Sequence, residues 1–340
     1  LCAVPAGCYR FLQIPSGTAA ESGYDTGGYQ ERSLSGINVC YKKYGFSGKR
    51  RRRHSSLFPF MYSPVQRNYL IKDENGWERM FAMLRIAVLS DIHGNYVALR
   101  KCLDYAVNVG INTFIFLGDY LGELAYPQKT MALLYSLKEK YQCFFIKGNK
   151  EDYWIRYEKD PKGWKEYDST TGCLYYTFQN LNQRDLCFFK SLSYKEELEF
   201  DGLLPMTICH GSPRKVSEKM LPNDEKTFFI MENNPSDYIL CGHTHIQGRI
   251  AHNGKEALNA GSVGVPMDSN GKAQFMILKG TQNRWDYECV SLDYDREMVI
   301  ADLYSSGLSG KAPYWCKVSE NLLRTGKIAH GTVLMRAMAL

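Results

Sequence analysis

The stretch LSDIHGN, residues 89–95, sets Asp91 and His93 two positions apart, directly after an apolar run and directly before a glycine. Such a pair could hold a metal ion or simply finish a strand. Its partners decide between the two. Four further blocks of the same kind occur downstream: Gly118-Asp119, Gly148-Asn149, His210-Gly211 and Gly242-His243-Thr244-His245. The chain has seven histidines, and four of them stand in these blocks. Imidazoles combined with carboxylate and amide oxygens suit borderline first-row divalent ions such as Mn, Fe, Co, Ni and Zn. Seven donors exceed what one tetrahedral ion takes. They suit two ions sharing one carboxylate. Ion pairs roughly 3.5–4 Å apart recur in phosphatases and nucleases, where they generate a hydroxide near neutral pH and clamp a phosphoryl group.

Taken singly, each block has a plainer explanation. Asp91 and His93 could be a helix N-cap and a surface histidine. Gly118-Asp119 and Gly148-Asn149 could be ordinary turns, and His210 a satisfied core histidine. It is their common position that joins them. LRIAVLS (84–90), TFIFLGD (113–119), CFFIKGN (143–149), MTICHG (206–211) and YILCGHTH (238–245) all read as apolar strands, and each ends in one of the blocks. Ligands of open α/β sheets bind beyond the carboxyl ends of the strands, so five strands would deliver their polar ends to one edge.

Helical spacing separates the early strands. In residues 95–110, Tyr96, Leu99, Cys102, Leu103, Ala106 and Val107 share a face, and Gly110 stops the run. Residues 128–141 read as a second helix. Strand, helix, strand, helix, strand predicts parallel strands with right-handed crossovers, and the nearly continuous apolar strands predict a sheet covered on both faces. Residues 151–200 break the rhythm and are expected to form a cap, helical in pieces. Strands resume at 206 with mostly hairpin spacing, through 247–253, 256–264, 273–280 and 284–292. Residues 294–340 read as a helical C-terminal segment packed on the domain.

The net charge of +6 suggests nucleic-acid binding only until it is divided along the chain. Residues 1–82 carry twelve Lys/Arg and six Asp/Glu, whereas residues 83–340 carry thirty of each. The excess sits before residue 83, much of it in KRRRRH (Lys49 to His54), and the neutral remainder gives no charge-based reason to expect a nucleic-acid partner. Residues 1–82 are rich in Gly, Ser, Tyr and Arg, without sustained periodicity, and are expected to be a poorly ordered basic extension. The chain opens on Leu1, while MLRIAVLSDIHGN begins cleanly with a strand, so Met83 is expected to be the natural start. The eleven cysteines are odd in number and form no CxxC pair, which suits a reducing, cytoplasmic setting. No apolar run reaches the length of about 18 residues that spans a membrane.

The blocks DIHGN, LGDY, KGNKE, CHGSP and CGHTHIQ together resemble the five signature blocks of the calcineurin-like metallophosphoesterases, and LNAGSVGVP (258–266) is similar to the compact bacterial phosphodiesterase-like branch. The resemblance covers about residues 83–280. It implies an α/β fold, a two-layer αββα sandwich with mixed sheets and a small helical cap insertion. It implies that Asp91, His93 and His245 bind one metal, that Asp119 bridges, and that Asn149, His210 and His243 bind the second. The implied activity is hydrolysis of phosphodiester or phosphomonoester bonds of a small phosphate ester or nucleotide, with a bridging hydroxide as nucleophile. Rival readings are a protein phosphatase or dinucleoside-polyphosphate hydrolase on the same fold, or a non-catalytic scaffold.

One position departs from the family pattern. Many members carry a histidine directly after the motif asparagine, and this chain has Lys150 there, followed by Glu151. Lys150 could bind phosphate as a point charge, but its usual pKa makes it a weak general acid. Alternatively, Lys150 and Glu151 merely start a solvated helix. Without that histidine, substrates with good leaving groups are expected. Arg214 in HGSPR is a candidate phosphate contact, and backbone amides near Gly94 and Gly211 are candidate oxyanion donors. The aromatic residues Tyr153, Trp154, Tyr157, Trp164, Tyr167, Tyr175 and Tyr176 could wall a nucleobase site or pack as a small core.

Overall fold

The computed structural model describes residues 68–72, 78–162, 164, 171–267 and 269–327, with side chains from residue 83. All of these fall within one unit, Phe60–Leu340. Two strands open it, β1 Asn68–Lys72 and β2 Glu78–Ala82, paired antiparallel. This hairpin lies where no regular element was expected. Five residues per strand are too few for a period to stand out, although the intervening Asn75-Gly76 is a common hairpin signal. The rest of the expected N-terminal extension lies outside the described residues.

The alternation predicted from residue 84 is present. β3 Arg85–Leu89, α1 Tyr96–Asn108, β4 Thr113–Phe116, α2 Pro127–Lys138 and β5 Gln142–Phe145 follow in order, and the three strands pair in parallel. Asn95 caps α1 by accepting from the Ala98 N–H at 3.0 Å. Pro127 opens α2, at a position where its missing N–H costs nothing. The insertion then supplies α3 Asn149–Lys159, α4 Gly172–Gln179, α5 Gln183–Ser191 and β6 Lys195–Leu198. β7 Met206–Cys209, α6 Glu225–Glu232, β8 Tyr238–Cys241, β9 Gly248–His252, β10 Lys255–Asn259, β11 Ala273–Thr281 and β12 Arg284–Leu292 complete the sheets. α7 Arg296–Ser305, α8 Leu308–Lys311 and α9 Pro313–Thr325 form the expected helical C-terminal part, and residues 328–340 lie outside the description.

Two five-stranded mixed sheets result, ordered β12-β11-β3-β4-β5 and β6-β7-β8-β10-β9. Strand alternation sorts the side chains into layers. Ile86, Val88, Ile115 and Leu117 meet Ile208, Leu240 and Leu258 in the core between the sheets. Ala87, Leu89, Phe114 and Phe116 face outward onto Leu99, Leu103, Met131 and Leu134 of α1 and α2. On the far side Ile230 and Met231 of α6 cover Ile239 and Cys241. The expected αββα sandwich is therefore the fold.

Two further elements were not read from the sequence. α6 makes the crossover between the parallel strands β7 and β8. It buries Thr227, Ile230 and Met231, and two turns offer too few repeats for a period to show. β6 lies within the expected cap yet pairs antiparallel with β7 as a sheet edge. The insertion is also less detached than a lid. Trp154 and Phe189 are fully buried in the same cluster as α1 and α2. Of the aromatic residues singled out in the sequence, Trp154 and Tyr176 are buried, Tyr157 and Trp164 stack on each other with centroids 4.1 Å apart, and Tyr167 lies outside the described residues. Trp154→Ala is accordingly expected to cost about 3–5 kcal/mol, seen as a lowered urea midpoint at unchanged slope. A loss below about 1 kcal/mol would mean that the insertion folds apart from the sandwich.

Candidate metal centre

All five predicted strand ends point to one place. Asp91 and His93 follow β3, Asp119 follows β4, Asn149 opens α3 after β5, His210 follows β7, and His243 and His245 follow β8. The chain must turn sharply at each end. Asp91, His93, Asp119, His243 and His245 all have positive φ, between 50° and 64°. Left-handed backbone at residues other than glycine is uncommon and costs of order 1 kcal/mol or more each, and it concentrates at functional sites. Gly118 and Gly148 permit the tight crossing of two of these turns, since a Cβ on Gly118 would lie 2.2 Å from the Gly148 nitrogen.

Hydrogen bonds fix which atoms face inward. Leu117 O accepts from His210 Nδ1 at 2.8 Å, and Val265 O accepts from His245 Nδ1 at 2.8 Å. His93 Nδ1 lies 2.6 Å from Glu123 Oε2. The His210 and His245 rings thus donate outward, His93 pairs its Nδ1 with the Glu123 carboxylate, and each ring in its neutral form turns Nε2 to the centre. The oxygens are arranged likewise. Asp91 Oδ2 accepts from Ser90 Oγ at 2.6 Å and from the His243 N–H at 2.9 Å. Its buried Oδ1 has no hydrogen bond and sits 3.1 Å from His245 Nε2 and 3.6 Å from His93 Nε2. Asp119 Oδ1 accepts from the Lys150 N–H at 2.8 Å. Asp119 Oδ2 faces both halves, 3.5 Å from His210 Nε2 and 3.8 Å from His93 Nε2.

The two His Nε2 atoms of His93 and His245 approach to 3.2 Å, and Asn149 Oδ1 lies 3.2 Å from His210 Nε2. Each of these close pairs needs a shared proton or a cation between its atoms. The donors fall into two groups, Asp91–His93–His245 and Asp91–Asp119–His210, each with its ligand atoms within 4.8 Å of one another. That donor set fits divalent cations. The His243 ring packs edge-on against His210, centroids 5.1 Å apart.

Protonation follows the same field. Burial would depress His93, but Glu123, Asp91 and Asp119 outweigh it and raise its pKa to about 10. Burial likewise opposes the charge on His210, and Asp119 and Asp91 raise it to about 9. Burial and the neighbouring His210 push His243 down to about 4. Burial would raise the Asp91 carboxyl, yet His245 and His210 hold it well below the usual carboxylate range.

Two acidic residues hold the centre together, Glu123, which the sequence did not single out, and Glu151, read there only as a helix start. Glu151 is fully buried and accepts from the backbone N–H groups of Gly148 at 2.8 Å, Tyr120 at 2.9 Å and Asp119 at 3.0 Å. Burial and the Asp119 charge raise its pKa to about 7. Glu123 bridges His93 and Lys150. The solvated helix start is therefore not what residues 150 and 151 form. Lys150 is spoken for by Glu123. Arg214 is half-exposed and pairs with Glu218 at 3.7 Å, its guanidinium 5.9 Å from the Phe229 ring. The Gly94 N–H, a candidate oxyanion donor, instead donates to Tyr120 O at 3.0 Å.

A two-sheet sandwich with such a centre at its carboxyl edge is the fold of the metallophosphoesterases. Residues 84–247, which carry the centre, match the calcineurin-like phosphoesterase family. An uncharacterized protein of Methanocaldococcus jannaschii is 28% identical over 247 residues, covering 68% of this chain and 94% of that protein. The same fold occurs in a metallophosphoesterase from Sphaerobacter thermophilus, with TM-score 0.59 at 21% identity, over 72% of this chain and 99% of that one. It occurs also in a hypothetical protein from Pyrococcus horikoshii, with TM-score 0.61 at 19% identity and the same coverage. Among the described residues no helix is long and apolar enough to cross a membrane.

The metal-free His93 and His210 each carry a proton at neutral pH, so a bound cation must expel it. Apparent cation affinity is therefore expected to climb as pH rises toward 9 to 10, where His210 and His93 lose their protons. At pH 7 about two protons should be released on loading. Calorimetry in buffers of different ionisation enthalpy measures that release, and a buffer-independent heat would contradict it.

Proposed function

We propose that this chain is a phosphoesterase working with two divalent cations, held by Asp91, His93, Asp119, Asn149, His210, His243 and His245. The observation that carries it is the convergence of Nε2 and carboxylate donor atoms from separate strand ends into one buried space, with Asp91 Oδ1 left unpartnered there. Bound divalent cations supply an acidified water and positive charge at the phosphoryl oxygens. The residues do the rest. Asp119 Oδ2 lies between the two histidine groups and can serve both halves. The carbonyls of Leu117 and Val265, together with Glu123, keep the rings oriented. Seven intact donors, five of them on strained backbone, weigh against a non-catalytic scaffold.

The substrates we propose are small phosphodiesters or nucleotides with good leaving groups. Lys150 stands where many relatives place a histidine, its ammonium is bound to Glu123, and that partner raises its pKa further against the effect of burial. It does not deliver a proton at neutral pH, and a leaving group that needs none is favoured.

The experiment is hydrolysis of bis-p-nitrophenyl phosphate and p-nitrophenyl phosphate after chelation, with Mn, Ni, Co, Zn or Mg added back singly. Metal-restored release is expected, faster for aryl than for alkyl esters. Asp119→Asn and His210→Ala should each lower kcat/KM more than about a hundredfold while remaining folded. A folded wild type that releases no nitrophenol with any metal would sink the reading.

A further inference from the structure

The three histidines whose Nδ1 partners are defined above are not held alike. His210 and His245 donate to neutral backbone carbonyls. His93 alone meets a carboxylate, Glu123 Oε2, at 2.6 Å. The other Glu123 oxygen is held by the Lys150 ammonium. Both side chains are only 13% exposed, so water screens neither charge well. The loop around Glu123 is itself pinned. Thr177 of α4 donates to Gly122 O at 3.0 Å, and a Cβ on Gly122 would lie 2.7 Å from His93 Nδ1. Lys150 comes from α3, Thr177 from α4, and both belong to the insertion.

We infer that Glu123 and Lys150 are positioning residues that make the two cation positions unequal, strengthening the one served by His93. An anionic partner fixes a ring's orientation and makes its far nitrogen a better donor than a neutral carbonyl does. Lys150 acts through Glu123. It holds Oε1 so that Oε2 stays turned to His93, and without it the buried carboxylate turns out toward water. This rests on the two-cation reading above. It adds a role for a residue pair that touches neither substrate nor ion.

Titration of the chelated full chain with Mn(II) or Co(II), followed by calorimetry and by the Co(II) visible spectrum, separates the two claims. Wild type should bind two ions. Glu123→Gln should keep one within about threefold and bind the other about 10–100-fold more weakly, with an altered Co(II) spectrum and an intact unfolding transition. Lys150→Met should weaken the same ion, and Lys150→Arg should restore it. The double variant should be no worse than Glu123→Gln alone, because the second residue acts only through the first. Two ions of wild-type affinity in Glu123→Gln, equal weakening of both, or additive losses in the double variant would overturn the inference while leaving the phosphoesterase reading in place. A folded wild type that binds no ion would overturn both.

Discussion

Imidazoles and carboxylates crowded into one buried space need a shared proton or a cation between them, and much of this fold keeps them close enough to need one. The two sheets bring five strand ends to one edge. Leu117, Val265 and Glu123 each take the outward nitrogen of a ring, so the inward nitrogen has nowhere else to point. Glu151 gathers three backbone N–H groups from the ends of β4 and β5 and locks those turns together. The centre is thus preorganised for positive charge by neighbours that would never bind an ion themselves.

What the sequence revealed divides along a physical line. The seven donors were legible because each follows an apolar strand by one to four residues, and a strand end is a local signal. The three parallel strands and their two crossover helices were legible for the same reason, since α1 and α2 are long enough for their periodicity to show. Short elements that end in no donor block were not. α6 and β6 carry eight and four residues, and their patterns do not rise above chance.

The roles of Glu123 and Glu151 were missed for a different reason. Each looks in sequence like any acidic residue in a loop or first helical turn. Only the fold places Glu123 against His93 and Glu151 beneath Asp119. Lys150 was noticed as a departure from a pattern, but its partner lies 27 residues away, in a loop whose conformation no local signal gives. Charged residues acting through tertiary contacts are the part of such a site that spacing cannot show.

The strained turns have a consequence for how this chain can change. Asp91, His93, Asp119, His243 and His245 each sit in a conformation that glycine adopts freely. Replacing one of them by glycine removes a backbone cost of about 1 kcal/mol. It also forfeits the attraction that raises His93 and His210 and lowers Asp91. Backbone and side chains therefore pull in opposite directions at these turns, and the attraction among the side chains holds the backbone in place. A lineage that lost one donor would loosen the hold on its neighbours, so the set is kept or shed as a unit.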